Sequence, residues 1–149
     1  MFLSTRFLSL SFTLLMEENF KYEKSQYITW WEKMLAQIDK ISHERITNLL
    51  ENSILLLTAS AETKKLRTVR ANLSNVINNI SRVMLLLERR ETTEDEKAYV
   101  LLQFARTLAV SEKAKIDEVI KGKRKDELIK DNLNSIKILL CEAEKLMKR

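Results

Sequence analysis

Glycine, proline, cysteine and histidine are almost missing from this chain of 149 residues, which has one glycine, no proline, one cysteine and one histidine. Strands need tight turns, and tight turns are built largely from glycine, proline and asparagine, so an all-β fold is disfavoured. Hydrophobic residues make up 45% and charged residues 32%, which is typical of a globular chain. The composition therefore predicts an all-α fold, and the length predicts one domain.

The same scarcity excludes several kinds of catalytic and metal site. One cysteine cannot form an intrachain disulfide, and with a single histidine it leaves no Cys/His cluster for zinc. Any nucleophile–histidine pair would need His43, and Gly122 alone cannot make a glycine-rich phosphate loop. We predict that Cys141 is a buried small hydrophobe and that His43 has a surface or capping role. The sequence thus predicts a protein that is not an enzyme and uses no metal or cofactor.

The first fifteen residues, Met1 to Leu15, are apolar and hydroxyl residues with one basic side chain and no acidic one. A secretory signal would need an unbroken apolar stretch and a small-x-small cleavage site, and a membrane span needs ~20 residues. We interpret residues 1–15 as a leader or a mis-assigned start, disordered or peripheral, with a partner-docking tail or an export signal as alternatives. Residues 16–149 then form the helical domain, and we expect a cytoplasmic protein without membrane contact.

Apolar spacing and capping residues predict a bundle of about five helices. The expected segments are Glu18 to Ile41, a second from a Ser42 cap to about Ala59, Ala61 to Arg90 after a Ser60 cap, a fourth from a Thr93/Glu96 capping box to Gly122, and Asp126 to Lys148. We expect Gly122 to end the fourth helix in the left-handed conformation. Trp30 and Trp31 are adjacent, so they point about 100° apart on a helix. One of them is predicted to be in the core, with base stacking as an alternative.

The third predicted helix carries an apolar heptad repeat. Leucine or isoleucine recurs every seven residues, with valine interleaved at the same interval, at Leu66, Val69, Leu73, Val76, Ile80, Val83 and Leu87. We call these seven residues the heptad stripe. Such spacing predicts one long helix with a straight apolar face, but it leaves open whether that face packs inside the molecule or against a partner.

Positive charge is concentrated in two short stretches, although the net charge is only +5. The first basic cluster is Lys64, Lys65, Arg67 and Arg70, and the second is Lys121, Lys123, Arg124 and Lys125. Lys64 and Lys65 lie at the predicted start of a helix, where the helix dipole disfavours cations, and this favours a phosphate-binding role for the first cluster. Opposite phosphates, these side chains would release counterions and give salt-dependent binding without sequence preference. Both clusters are therefore candidate RNA-binding residues, and an ordinary solvated face is the alternative.

Three segments resemble the small helical subunit of type III, Csm-type, CRISPR effector complexes. TKKLRTV at 63–69 resembles the Thr-x-x-Gln-Leu-Arg opening of the family's long helix, with lysine in place of glutamine. AYVLLQFARTLAV at 98–110 resembles the helix that opens with Ala-Tyr and continues through a Gln-Phe-like core, and residues 141–143 resemble its Met-Glu-Ala end. The glycine and arginine of the family's Ala-Gly-Arg are missing at 108–110, and Lys145-Leu146 replaces a closing Ala-Tyr.

The resemblance implies a non-catalytic bundle that is present in several copies in a ribonucleoprotein. It implies packing against other effector-complex subunits and contact with the backbone of the guide–target RNA duplex. The alternative is a helical protein-interaction or oligomerisation module that binds no nucleic acid, whose heptad stripe pairs with a partner helix. An exported helical protein is a weaker alternative.

Overall fold

The computed structural model describes residues 24–90, 92–122 and 129–148, and confirms the all-α prediction: these residues contain helices and no strand. The four described helices are α1 (Lys24–Glu62), α2 (Leu66–Leu87), α3 (Thr93–Ile120) and α4 (Ile129–Met147). They are four rather than five because the first two predicted helices are one. Residues 1–15, predicted to be a leader, lie outside the described residues.

The helices form an antiparallel bundle in which each packs against two neighbours: α1 against α2 and α4, and α3 against α2 and α4. Two hydrogen bonds fix the antiparallel order of α1 and α2, because the Asn72 and Asn79 amides donate to the Ser60 and Ser53 hydroxyls, at 2.9 and 3.2 Å. A hydrogen bond of 2.8 Å joins the first turn of α4 to the second half of α3. Because α4 packs along α3, it runs antiparallel to it.

Buried side chains alternate at intervals of three and four residues on every helix. On α2 they include Val69, Leu73, Val76, Ile80, Val83 and Leu87, so the heptad stripe is buried within the molecule, apart from half-buried Leu66 at the helix start. On α3 three of the buried positions are alanines, Ala98, Ala105 and Ala109. Small side chains there leave room for the larger residues of the facing helices, and burial of each leucine or isoleucine stabilises the fold by about 1.5–3 kcal/mol.

Two predicted helix boundaries are wrong. Ser42 is not a cap, because α1 runs without interruption from Lys24 to Glu62, and no glycine or proline breaks it near that serine. Ser60 is not a cap either: it is buried inside α1 and its hydroxyl donates to the Leu56 carbonyl at 2.8 Å. The third predicted helix therefore begins at Leu66 and not at residue 61.

The capping box of the next helix is shifted by one residue from its predicted position. Thr92, not Thr93, is the N-cap of α3, and its hydroxyl oxygen accepts the Asp95 backbone N–H at 3.2 Å. The Thr92 hydroxyl also donates to the Asp95 carboxylate at 2.6 Å. Asp95 is buried, and the Arg90 guanidinium lies 3.4 Å from it. At the other end, Gly122 has φ +74°, which confirms the predicted left-handed turn.

The first half of α1 extends beyond the core. No side chain of residues 26–45 is buried, and Ile46 is the first core residue of this helix. The prediction that Trp30 or Trp31 is a core residue is wrong, since Trp31 is half-buried and Trp30 is 56% exposed. The hydrogen bonds between α1 and α2 place the end of α2 near the level of Ile46, so the first half of α1 lies beyond the end of α2.

Candidate nucleic-acid interface

The described part of the two basic clusters lies at one end of the bundle. The first cluster surrounds the start of α2, and Lys121 follows the end of α3. Because α2 and α3 are antiparallel, the start of α2 and the end of α3 lie side by side. The contact between Arg70 on α2 and Asp117 on α3, at 2.6 Å, fixes this correspondence. We call the exposed side chains of Lys64, Lys65, Arg67 and Lys121 the basic end. Lys123, Arg124 and Lys125 lie outside the described residues.

Lys64 and Lys65 lie in the short connection between α1 and α2. The helix α1 ends at Glu62, and the Lys65 backbone N–H donates to the Thr63 hydroxyl at 3.2 Å. Lys65 is the N-cap of α2 in an extended conformation, with no side-chain cap hydrogen bond. Both lysines are exposed, and they lie at the start of α2, which is the positive end of the helix dipole. The two ammonium groups and the dipole would therefore attract an anion together.

The two arginines of the first cluster have different surroundings. Arg67 is exposed, and within the described residues it makes no ion pair. Arg70 instead has its Nε 2.6 Å from Asp117 Oδ1, and the two side chains are 50% and 28% exposed. This contact partly neutralises Arg70. Arg70 stays a predicted RNA-binding residue, but a phosphate would have to compete with Asp117 for its guanidinium group.

A buried carboxylate lies below this end of the bundle. Glu112 on α3 is 2% exposed, and its Oε1 accepts from the Asn132 amide at 2.8 Å and from Lys115 Nζ at 2.9 Å. Lys115 thus compensates a buried charge instead of adding to the exposed positive charge. Sequence analysis missed this role, although Glu112 lies three residues after Ala109 and four before Ile116, on the buried face of α3.

The other candidates considered in the sequence are metal ligands, the single histidine and the single cysteine. No group of three or more His, Cys, Asp or Glu residues there could hold a metal ion. His43 lies inside α1, so the capping role predicted for it is wrong, and it is half-buried. Cys141 is a free thiol and is half-buried rather than buried as predicted.

Comparisons with known proteins identify no relative. No family model matches the chain, no curated protein matches it and no solved structure matches it. The resemblance to the type III CRISPR small subunit therefore depends on the three sequence segments alone. Among the described helices, none combines the length and apolarity that a membrane crossing requires.

Proposed function

We propose that the protein is a non-catalytic RNA-binding subunit of a ribonucleoprotein, and that its basic end contacts the RNA backbone. The observation that carries this proposal is that the first cluster and Lys121 lie at the same end of the bundle, although about fifty residues separate them in the sequence. Lysine and arginine side chains on a rigid surface bind phosphates without reading bases. The finer proposal, suggested by the sequence resemblance, is the small subunit of a type III CRISPR effector complex bound to the guide–target duplex.

The balance of charge at the basic end supports binding to a polyanion. Lys64, Lys65, Arg67 and Lys121 are exposed and have no ion pair within the described residues. The described acidic residues near them are Glu62, Asp117 and Glu118, and Asp117 is engaged with Arg70. Each phosphate that such a side chain neutralises lowers the slope of log K against log salt by about 0.7 to 0.9. Four contacts would therefore make binding strongly dependent on ionic strength.

A charge reversal tests this proposal. We expect the double variant Lys65→Glu and Arg67→Glu to lower affinity for duplex RNA at least tenfold at low salt and to flatten the salt dependence. Fluorescence anisotropy of labelled RNA measures both quantities. Lys97→Glu is the matched control, since Lys97 is exposed at the opposite end of the bundle. Equal affinities of the charge-reversed and control proteins would show that the basic end does not bind RNA.

The finer proposal needs the native assembly. We expect the protein to co-purify from its own cells with larger subunits and a short guide RNA, and the Lys65/Arg67 variant to retain the subunits while losing target RNA. Recovery of the protein alone from gently lysed cells would contradict membership of such a complex.

A protein-interaction module is the second candidate, and an exposed stripe on α3 favours it. Val100, Phe104 and Leu108 follow one another at four-residue intervals and are 48%, 62% and 38% exposed. Because the heptad stripe is used inside the fold, such a module would use this α3 stripe instead. The module predicts that Phe104→Glu abolishes partner binding or self-association, measured by sedimentation, while the Lys65/Arg67 charge reversal has no effect.

A further inference from the structure

We propose that Trp30 and Lys33 form a second nucleic-acid contact, in which a base of single-stranded RNA stacks on the Trp30 indole and its phosphate meets the Lys33 ammonium group. This inference rests on the proposed function but concerns a different part of the molecule. Trp30 and Glu62 are 32 residues apart on one helix, which separates the new site from the basic end by about 48 Å.

Among the described residues, four side chains line a shallow groove on the part of α1 that extends beyond the core. They are Gln26, Thr29, Trp30 and Lys33, which share one face of the helix because they lie three, four and seven residues apart. The groove has a volume of about 370 Å³ and is open to solvent. The lining that the described residues supply combines an aromatic ring, a cation, an amide and a hydroxyl, without a carboxylate.

The indole of Trp30 is available for stacking. Its side chain is 56% exposed, and no side chain of residues 26–45 belongs to the buried core. The neighbouring Trp31 ring is tilted by 44° with its centroid 6.4 Å away, so the two rings are not stacked face to face. An exposed aromatic face accepts any base, because every base has a π-face.

The polar members of the groove favour a nucleotide over an apolar helix of another protein. Lys33 is exposed one turn from Trp30, and within the described residues it forms no ion pair. A base stacked on Trp30 would bring its phosphate within reach of this ammonium group, while Gln26 offers a donor and an acceptor to the base edge. An aromatic platform beside a cation is the arrangement that proteins use for single strands.

Tryptophan fluorescence tests the site directly, because Trp30 and Trp31 are the two tryptophans of the chain. In the full-length Trp31→Phe protein, Trp30 is the sole reporter. We expect an oligouridylate of about eight nucleotides to quench its emission, and a duplex RNA of equal length, whose bases are already stacked, to quench it much less. Trp30→Ala should lower affinity for the oligouridylate about tenfold, and Lys33→Glu should weaken quenching similarly. Lys40→Glu, at an exposed lysine of the same helix outside the groove, is the matched control.

The outcomes separate this site from the basic end. If oligouridylate does not quench Trp30 emission in the Trp31→Phe protein while duplex RNA still binds in a salt-dependent way, the Trp30 site is overturned and the proposed function is left intact. Quenching that survives the Lys65/Arg67 charge reversal would support the Trp30 site even where duplex binding is lost. A concentration-dependent blue shift of Trp30 emission without RNA, with no quenching by oligouridylate, would assign the surface to protein contact and overturn the proposal.

Discussion

Arg70 on α2 and Asp117 on α3 are joined across the helix interface, with 2.6 Å between Nε and Oδ1. The contact is an ion pair without the direction of a hydrogen bond, and both side chains are partly exposed. Solvent therefore screens it, and its contribution to stability is at most about 1 kcal/mol. Its larger effect is on charge, because Asp117 competes with any phosphate for the Arg70 guanidinium group.

Asp117→Asn should strengthen RNA binding. The substitution removes the competing negative charge, so Arg70 becomes available to a phosphate. We expect affinity to rise several-fold at low salt and the salt dependence to become steeper by about 0.7 to 0.9, the value of one additional phosphate contact. Anisotropy titrations at several salt concentrations measure both.

The combination of Asp117→Asn with Arg70→Gln is the control for this prediction. The gain in affinity should disappear in the double variant, because no guanidinium group remains to be released. A gain that persists would mean that general charge, and not the freed Arg70, attracts the RNA.

Thr92→Ala should destabilise the protein by about 1 kcal/mol, the usual cost of removing a threonine N-cap. The Thr92 hydroxyl accepts the Asp95 backbone N–H and donates to the buried Asp95 carboxylate, so both contacts are lost. Urea unfolding measures the change. Thr93→Ala is the matched control, since Thr93 is exposed, and it should alter stability by less than about 0.5 kcal/mol. The reverse order of effects would restore Thr93 as the cap.

Ser53→Ala should cost about 1–3 kcal/mol, because it leaves the buried Asn79 amide without its acceptor. The Asn79 Nδ2–Ser53 Oγ bond is 3.2 Å long and both residues are buried. Adding Asn79→Leu removes the unsatisfied donor, so the double variant should be more stable than Ser53→Ala alone. Urea unfolding of the two single variants and the double variant gives the coupling energy. Strict additivity would show that the two groups do not interact.

Stability should fall in alkaline solution through Tyr99. Burial, and then the hydrogen bond to Glu88 and its negative charge, raise the pKa of Tyr99 above its usual 10.0, against the opposing charge of Arg106. The phenol donates to Glu88 Oε1 at 3.0 Å. Because the folded state holds the proton more tightly than the unfolded state, this contribution is complete below pH 10 and is lost as the pH rises through the raised pKa.

Unfolding free energies measured between pH 9 and 11 should therefore decline more steeply in the native protein than in Tyr99→Phe. Absorbance of tyrosinate in the folded protein gives the pKa itself. Identical pH profiles for the two proteins would exclude a stabilising role for the protonated phenol.

The helical class and much of the core could be predicted from the sequence, because buried positions on a helix recur at three and four residues whatever the helix packs against. Leu133, Ile136, Leu140, Ala143 and Met147 on α4 are buried as their spacing predicts. Helix boundaries were less predictable. Serine is a favoured N-cap residue, but it caps a helix only where a helix begins. Ser42 and Ser60 both lie inside the continuous α1.

The residues of the candidate site could be predicted from the sequence, but their spatial arrangement could not. Lys64, Lys65 and Arg67 are exposed, as their positions off the heptad stripe indicate. Arg70 follows the same spacing, yet Asp117 engages it, and no pattern within α2 reveals a partner on α3. The prediction that Trp30 or Trp31 lies in the core followed from the aromatic residue type and from their adjacency. The exposure of Trp30 depends instead on how far α1 extends beyond the core.

The lack of glycine and proline, together with regular apolar spacing, determined by themselves that this chain is helical, because both act through the local backbone. The tertiary structure alone decided which charges lie together, which are neutralised and which aromatic ring faces solvent. These properties depend on the antiparallel order and the unequal lengths of the helices, and such relations between distant residues arise only when the helices pack.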